Sequence, residues 1–293
     1  MDDLLQILVA GVTVGAVYAL IALAFTMIYS ATGILNFAQG ELAMLGALLG
    51  VTVLDDHRLA YVPGLLVILG VAALVGAVYA EVVVKPLRRK HARLDTIIVA
   101  TIAVSLLLRY GAERIWGTAE FAVPTPIKGE AVAVLGARIN PQSFLVIGVA
   151  AAALIAVWVF FQRTVTGRTF RAVACDEQAA TLLGISAGKV VTLVMMLSAA
   201  LSALAGLLFT PISFASAHIG LALGFRGIVA AIVGGLGNPI GSVAAGFVLG
   251  VVEAYAAYHF TGWQDAVVFS VLLLVLVLKP SGLVGARLAV REG

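Results

Sequence analysis

Nine hydrophobic runs organise this chain of 293 residues, most of them close to the ~20 residues that an α-helix needs to cross a bilayer. They fall at about 4–29, 42–54, 63–84, 96–116, 143–161, 189–212, 224–234, 240–258 and 265–279, and the seventh is too short to cross unaided. With 62% hydrophobic and only 11% charged residues, the chain lacks the polar surface to cover a soluble globule, which carries about 25% charged residues. The outer faces of these segments must lie in lipid, where each helix satisfies its own backbone hydrogen bonds. The expectation is an all-α integral membrane protein of about eight transmembrane helices plus a re-entrant half-helix, in one domain over 1–293.

Basic residues cluster in two short loops, one around Lys85, Arg88, Arg89, Lys90 and Arg93 and one holding Arg163, Arg168, Arg171 and Lys189. The positive-inside rule places both in the cytoplasm. The two spans between them are joined by residues 117–142, a mixed-charge loop with Pro124, Pro126, Lys128, Glu130 and Arg138 that belongs outside. Arg287 and Arg291 put the tail inside, and the acidic start Met1, Asp2, Asp3 then falls outside if the half-helix counts as a crossing. That start lacks the basic region of a cleavable signal, so the first span is expected to stay in the mature chain. The same rule explains the formal charge of +3 without nucleic acid. Glycine and alanine recur four residues apart at Gly11, Gly15 and Ala19, at Gly46 and Gly50, at Ala199 and Ala203, and at Gly246 and Gly250. Such spacing lines one helix face with small residues and predicts close helix crossings.

Three features interrupt the apolar pattern. The stretch 164–189 is too polar for lipid yet helical in pattern: Val173, Ala180, Leu183 and Ile185 can gather on one side while Arg171, Asp176 and Glu177 stay wet, and Gly184 suits a C-cap. It reads as a surface helix for docking a soluble partner or as an interfacial helix lying in the headgroups. Secondly, the turn Asn36 to Glu41 puts groups that are expensive in hydrocarbon inside an apolar region, about 2.5–3.5 kcal/mol for a charged glutamate at mid-membrane. It is either part of a path or gate or a plain interfacial connection. Thirdly, Gly234 to Gly241, with Gly235, Gly237, Asn238 and Pro239, cannot continue a helix. It predicts a tight re-entrant turn, structural or path-lining, and lacks the lysine and strand of a phosphate loop. Among the charges in spans, Glu81 and Lys85 are spaced to pair, as are Arg109 and Glu113, while Arg226 and Glu253 should face the bundle interior. Glu253 is a candidate for the path. His57, His91, His218 and His259 lack metal-ligand spacing. The one cysteine, Cys175, can form no internal disulfide and is expected to be buried or chemically idle.

Separated signatures over nearly the whole chain resemble the permeases of branched-chain amino acid ABC importers of the LivH type. Gly15, Ala16, Tyr18, Ala19, Leu20 and Ala22 lead into Tyr29, Thr32, Gly33, Asn36, Phe37, Ala38, Gly40 and Glu41, similar to that family's first span and its asparagine-phenylalanine-alanine-x-glycine-glutamate turn. Gln39 stands where many relatives have histidine. Residues Thr166 to Ile185 resemble the family's cytoplasmic loop, with the glutamate of the glutamate-alanine-alanine motif displaced to Glu177. Phe225, Ala230, Gly234, Gly235, Gly237, Gly241 and Gly246, then Lys279, Pro280, Gly282, Leu283 and Gly285, resemble its carboxy-terminal half.

The resemblance implies the ABC importer permease fold, with Gly167, Arg168, Arg171, Asp176, Glu177, Ala179, Ala180 and Gly184 coupling the chain to its ATPases, and Asn36, Gln39, Glu41, Gly235, Gly237, Asn238 and Glu253 bordering the path or its gate. It implies no enzyme and no cofactor on this chain, ATP and Mg being used by two partner ATPase subunits. A second permease subunit, a periplasmic substrate-binding protein and lipid complete the partner set in a bacterial inner membrane. A secondary transporter or channel driven by an ion gradient is the alternative, supported by carboxylates and a broken helix within the apolar region. A thiol reagent that cannot cross the membrane is expected to label Cys175 only from the cytoplasmic side, as read by mass shift in oriented vesicles.

Overall fold

The computed structural model describes residues 2–90, 92–123, 127, 132–134, 137–260, 262–279 and 282–284. In chain order its helices are α1 (Asp2–Thr32), α2 (Gln39–Gly50), α3 (Tyr61–Tyr79), α4 (Lys85–Arg89), α5 (Leu94–Trp116), α6 (Pro141–Arg163), α7 (Val165–Cys175), α8 (Glu177–Leu182), α9 (Ala187–Phe209), α10 (Ile219–Gly234), α11 (Pro239–His259) and α12 (Gln264–Leu278). Two π-helical segments carry the chain onward without a loop, Val51–Asp56 after α2 and Ala80–Val84 between α3 and α4. Between α5 and α6 lies a small antiparallel hairpin of β1 (Val132–Val134) and β2 (Ala137–Ile139), in which Ala133 faces Arg138. His91, Pro124, Pro126, Lys128, Glu130, Pro280, Gly285, Arg287 and Arg291 lie outside the described residues.

Each hydrophobic run coincides with a helix. Six segments are long and apolar enough to cross a membrane: Asp3–Thr32, Tyr61–Arg89, Leu94–Trp116, Pro141–Arg163, Ala187–Phe209 and Pro239–His259. The expected single short helix is joined by two others, since α2, α10 and α12 have 12, 16 and 15 residues. Local chemistry sets these lengths. Gly235, at φ +102°, ends α10, and Asn238 starts α11 by accepting the Gly241 N–H on its side chain, with Pro239 in the first turn.

α1, α2 and α9 form the buried interior; α3, α6 and α11 pack on α1 or α9, and α5 packs on α2. Small residues fix how closely. α1 runs antiparallel to α11, so that a Cβ on Gly11 would sit 2.6 Å from the Cα of Val251, one on Gly15 2.9 Å from the Cα of Phe247, and one on Gly246 2.6 Å from the Cα of Ala19. In the same way α2 lies on α9 with Gly46 against the Ala203 backbone and Gly206 against that of Ala43, and α3 lies on α9 with Gly76 against Met195. The four-residue spacing seen in the sequence is therefore the contact face of three helix pairs. Where apolar burial drives no association, such backbone-to-backbone contact supplies the dispersion that holds helices together.

Two ends of the bundle differ in charge. Lys85 and Arg88 of α4, Arg171 of α7 and Lys189 of α9 collect at one end, where Gly188 lies against the Lys85 side chain. By the positive-inside rule that end is cytoplasmic. Cys175 lies there and is exposed, so the expectation of a buried thiol is replaced by a solvent-facing one.

Gly206→Val drives a side chain into the Ala43 backbone and is expected to lower the melting midpoint of the detergent-solubilised protein, by an amount equivalent to about 1–3 kcal/mol or more. Gly70→Val, at a glycine with nothing within 4 Å of an added Cβ, is expected to leave that midpoint unchanged.

Candidate coupling surface and polar centre

The polar stretch after α6 is not one helix but two. Thr164 turns the chain out of α6 and caps α7, its hydroxyl accepting the Gly167 N–H at 3.0 Å. Asp176 breaks the helix with φ −154° and caps α8, its carboxylate accepting from the N–H groups of Gln178 at 2.9 Å and Ala179 at 3.0 Å. Gly184, at φ +82°, closes α8, and the Ile185 N–H returns to the Ala180 carbonyl at 3.0 Å. The C-cap read from the sequence is thus present.

Two contacts hold this elbow to the bundle. Gly167 abuts the backbone of Phe160 and Phe161, and Phe170 packs on Phe161 with ring centroids 4.6 Å apart. Val173 and Ala180 are buried as the pattern suggested, but Leu183 is not: it is 81% exposed and Leu182 90%. Leu182 is the last residue of α8 and Leu183 its C-cap. Arg168, Arg171, Asp176 and Ala179 of the elbow are exposed as well, and Glu177 pairs with Arg88 of α4. That pair links the elbow to the α3–α4 rod, and the sequence marked Arg88 only as one of a basic cluster.

The Asn36 to Glu41 turn lies in the centre of the bundle. Asn36 accepts from the Tyr79 hydroxyl at 2.7 Å on Oδ1, which also accepts from the Ala38 N–H at 3.1 Å, and donates from Nδ2 to Gln39 Oε1 at 3.1 Å. Gln39 in turn donates from Nε2 to Ser202 Oγ at 2.6 Å and to the Ser198 carbonyl at 3.0 Å. Glu41, 1% exposed, accepts from Ser105 Oγ at 3.1 Å. Ser105 and Ser198 are each eleven residues from either end of α5 and α9, about 16 Å along each helix. The cluster therefore sits near the middle of the ~30 Å hydrocarbon core, and α2 begins there instead of at a membrane surface. The second carboxylate oxygen of Glu41 is buried without a partner among the described residues and lies against Gly220, where any Cβ would strike it.

Polar groups extend from this cluster both ways along α5. Thr101, Ser105, Arg109 and Glu113 recur every fourth residue on the face turned toward the bundle, with Arg109 Nε 3.6 Å from Glu113 and its Nη2 2.6 Å from His218 Nδ1. That period of four was the signal in the sequence for Ser105. Tyr79 carried no comparable signal, being a single polar residue in an apolar run, and Ser198 and Ser202 show the four-residue spacing only once.

The remaining candidates fall elsewhere. Gly235, Gly237 and Asn238 make the α10–α11 turn at the cytoplasmic end. There Gly282 packs on Gly235, the Leu283 N–H donates to the Val233 carbonyl, and Asn238 donates to the Val284 carbonyl, each at 2.8 Å. The turn read from the sequence as lying at membrane depth is at the bundle's edge. Glu253 is at the opposite end, where Arg226 donates to it at 3.0 Å and to Asp265 at 2.7 Å. This ion cluster opens onto a cavity of about 660 Å³ that Asp3, Gln6 and Tyr258 also line. The Glu81–Lys85 pair forms as its spacing suggested and is joined by Thr192.

Residues 7–276 match the family model described as branched-chain amino acid transport system / permease component. The permease protein BraD of the high-affinity branched-chain amino acid transport system of Pseudomonas aeruginosa is 32% identical over 96% of this chain and 95% of its own length, and LivH of Escherichia coli matches at the same identity and coverage. A probable LivH of Methanocaldococcus jannaschii is 25% identical over 91% of this chain and 88% of its own. Among solved structures, PsaBC from Streptococcus pneumoniae in complex with Fab aligns with a TM-score of 0.52 and 16% identity over 93% of this chain and 91% of that one, a likeness of fold.

Gln39→Leu leaves Ser202 and Asn36 Nδ2 short of a buried partner and is expected to destabilise the bundle by about 1–3 kcal/mol. Tyr79→Phe, which removes one of two donors to Asn36 Oδ1, should cost less; melting midpoints of the two variants in detergent check the order.

Proposed function

Since the chain belongs to the branched-chain amino acid transport system permease family, we propose that it forms half of the pore of an ATP-driven importer for branched-chain or closely related amino acids. Transport needs an energy source, and the chain has no phosphate loop of its own. The reading assigns nucleotide binding and hydrolysis, with Mg, to two separate ATPase subunits, pore completion to a second permease chain, and substrate delivery to a periplasmic binding protein.

One observation carries this reading: the α7–α8 elbow presents Leu182 and Leu183 almost wholly uncovered at the cytoplasmic end, on a helix capped at both ends and anchored to the bundle. Two adjacent bare leucines, on an elbow that also exposes Arg168, Arg171, Asp176 and Ala179, suit a protein interface with an apolar centre. Gly167, with no side chain, lets the elbow press on α6, while Ala180 seats α8 and Gly184 ends it. A push on the elbow reaches the bundle by two rigid routes, α6 through Gly167 and Phe170, and the α3–α4 rod through Arg88 and Glu177.

The path itself is assigned to the polar centre and the outer cavity. Asn36, Gln39 and Glu41 act as the gate at mid-depth, at the start of α2, whose shift against α9 would break their hydrogen bonds. Glu253, held by Arg226, lines the outer vestibule, whose mixed charge and aliphatic floor suit a zwitterion with an apolar side chain. Gly235, Gly237 and Asn238 let α10 and α11 reverse tightly beside the cytoplasmic mouth.

Replacing Leu182 and Leu183 together by aspartate is expected to abolish co-purification of the ATPase subunits and nucleotide-dependent uptake in proteoliposomes, with the melting midpoint preserved because both side chains are exposed. Retained ATPase binding, or uptake by the unaltered chain on a proton or sodium gradient without nucleotide, overturns the proposal in favour of a secondary transporter.

A further inference from the structure

A cavity of about 1240 Å³ opens at the cytoplasmic end between α1, α6, α7 and α11. Its wall changes character with depth. The inner part is apolar, formed by Leu23 and Met27 of α1, Leu154 and Trp158 of α6 and Val243 of α11. The three ionisable side chains with charge at neutral pH in its lining, Arg88, Arg171 and Glu177, all lie at the cytoplasmic rim. From Leu23 to Thr32 along α1 is nine residues, about 13 Å of helix, close to half of the ~30 Å hydrocarbon core. The groove is therefore about one leaflet deep and open to lipid along α6, where Ile155 and Trp158 are 62% and 52% exposed.

Among the described residues the rim carries one net positive charge. Arg88 uses Nη2 on Glu177 and Arg171 uses Nη1 on Gln162, which leaves donors on both guanidinium groups, each having five N–H. The α11 N-terminus also opens here at Asn238 and Pro239 and adds the positive end of its dipole. A translocated amino acid would find nothing for its charges in the lower wall. A chain with a long apolar tail and an anionic head fits both parts at once.

We infer that this groove is a binding site for one anionic phospholipid of the inner leaflet, an acyl chain lying between α1, α6 and α11 and the phosphate held between Arg88 and Arg171. The bound headgroup ties α4 to α7, alongside the Arg88–Glu177 pair, so the lipid becomes part of the joint between the bundle and the elbow.

Trp158 supplies the test. With Trp116→Phe and Trp263→Phe, it is the only tryptophan left of three, and the full-length chain is reconstituted in nanodiscs with a small fraction of brominated phosphatidylglycerol or brominated phosphatidylcholine. Since each arginine near the surface contributes roughly fivefold to anionic-lipid preference, half-quenching of Trp158 is expected at about five- to thirtyfold less phosphatidylglycerol than phosphatidylcholine. Arg88→Gln with Arg171→Gln should bring the two curves together. Equal quenching by both lipids in the parent shows ordinary lipid contact and overturns the inference. So does absence of quenching by either, the result expected if a second protein chain fills the groove, and so does a preference that survives both substitutions. If the double variant does not fold, Arg171→Gln alone must reduce the preference, since the Arg171 side chain is exposed. ATPase docking is not read in this assay, so its outcome is separable from that of the importer proposal.

Discussion

Backbone contact between helices is the constraint on which the rest of this molecule depends. Lipid is as apolar as leucine, so nothing analogous to core burial in water draws one span to the next, and dispersion between closely approaching backbones must do it. α1 meets α11 at Gly11, Gly15, Gly246 and Gly250, and α9 meets α2 at Ala203 and Gly206. Because α1 and α9 take these contacts on different faces, they become the buried axis about which the lipid-facing helices are arranged. The polar centre exists only because that axis is tight enough to exclude hydrocarbon from Asn36, Gln39 and Glu41.

Close packing and polarity support each other at that centre. A carboxamide or carboxylate at mid-depth is tolerable when its partners are fixed beforehand, and here they are supplied by three different helices: Tyr79 from α3, Ser105 from α5, and Ser198 and Ser202 from α9. Gly220 of α10 leaves room for the glutamate's free oxygen. The start of α2 is the one point where all five elements converge, so a shift of α2 against α9 breaks several hydrogen bonds together. Such concerted rupture favours two discrete positions of an element over a continuum.

The fold was largely readable from residue pattern, because length and apolar content alone decide where helices cross and four-residue spacing of small side chains decides which faces touch. The site was readable only where polarity was conspicuous against its surroundings. Asn36, Gln39 and Glu41 stood out in a run of apolar residues, and so did the segment containing Arg171 and Glu177. What local pattern could not supply was the partner: Tyr79 and Ser198 are unremarkable in sequence and become informative only when packing brings them to Asn36 and Gln39. Nor could it show that Asp176 caps a second helix, since an aspartate at that position is equally compatible with the wet face of one longer helix.

The π-helical segment Ala80–Val84 has a mechanical meaning of its own. It sits between α3, which is locked to α9 at Gly76, and α4, which carries Arg88. A π-turn stores one residue more than an α-turn needs, and one residue of α-helix corresponds to about 100° of rotation. Unwinding or rewinding that surplus residue turns Arg88 about the rod axis while the lipid-embedded part stays seated. The rod thus contains a swivel immediately below the cation that grips the elbow, and torque applied at the membrane surface has a place to be absorbed or released.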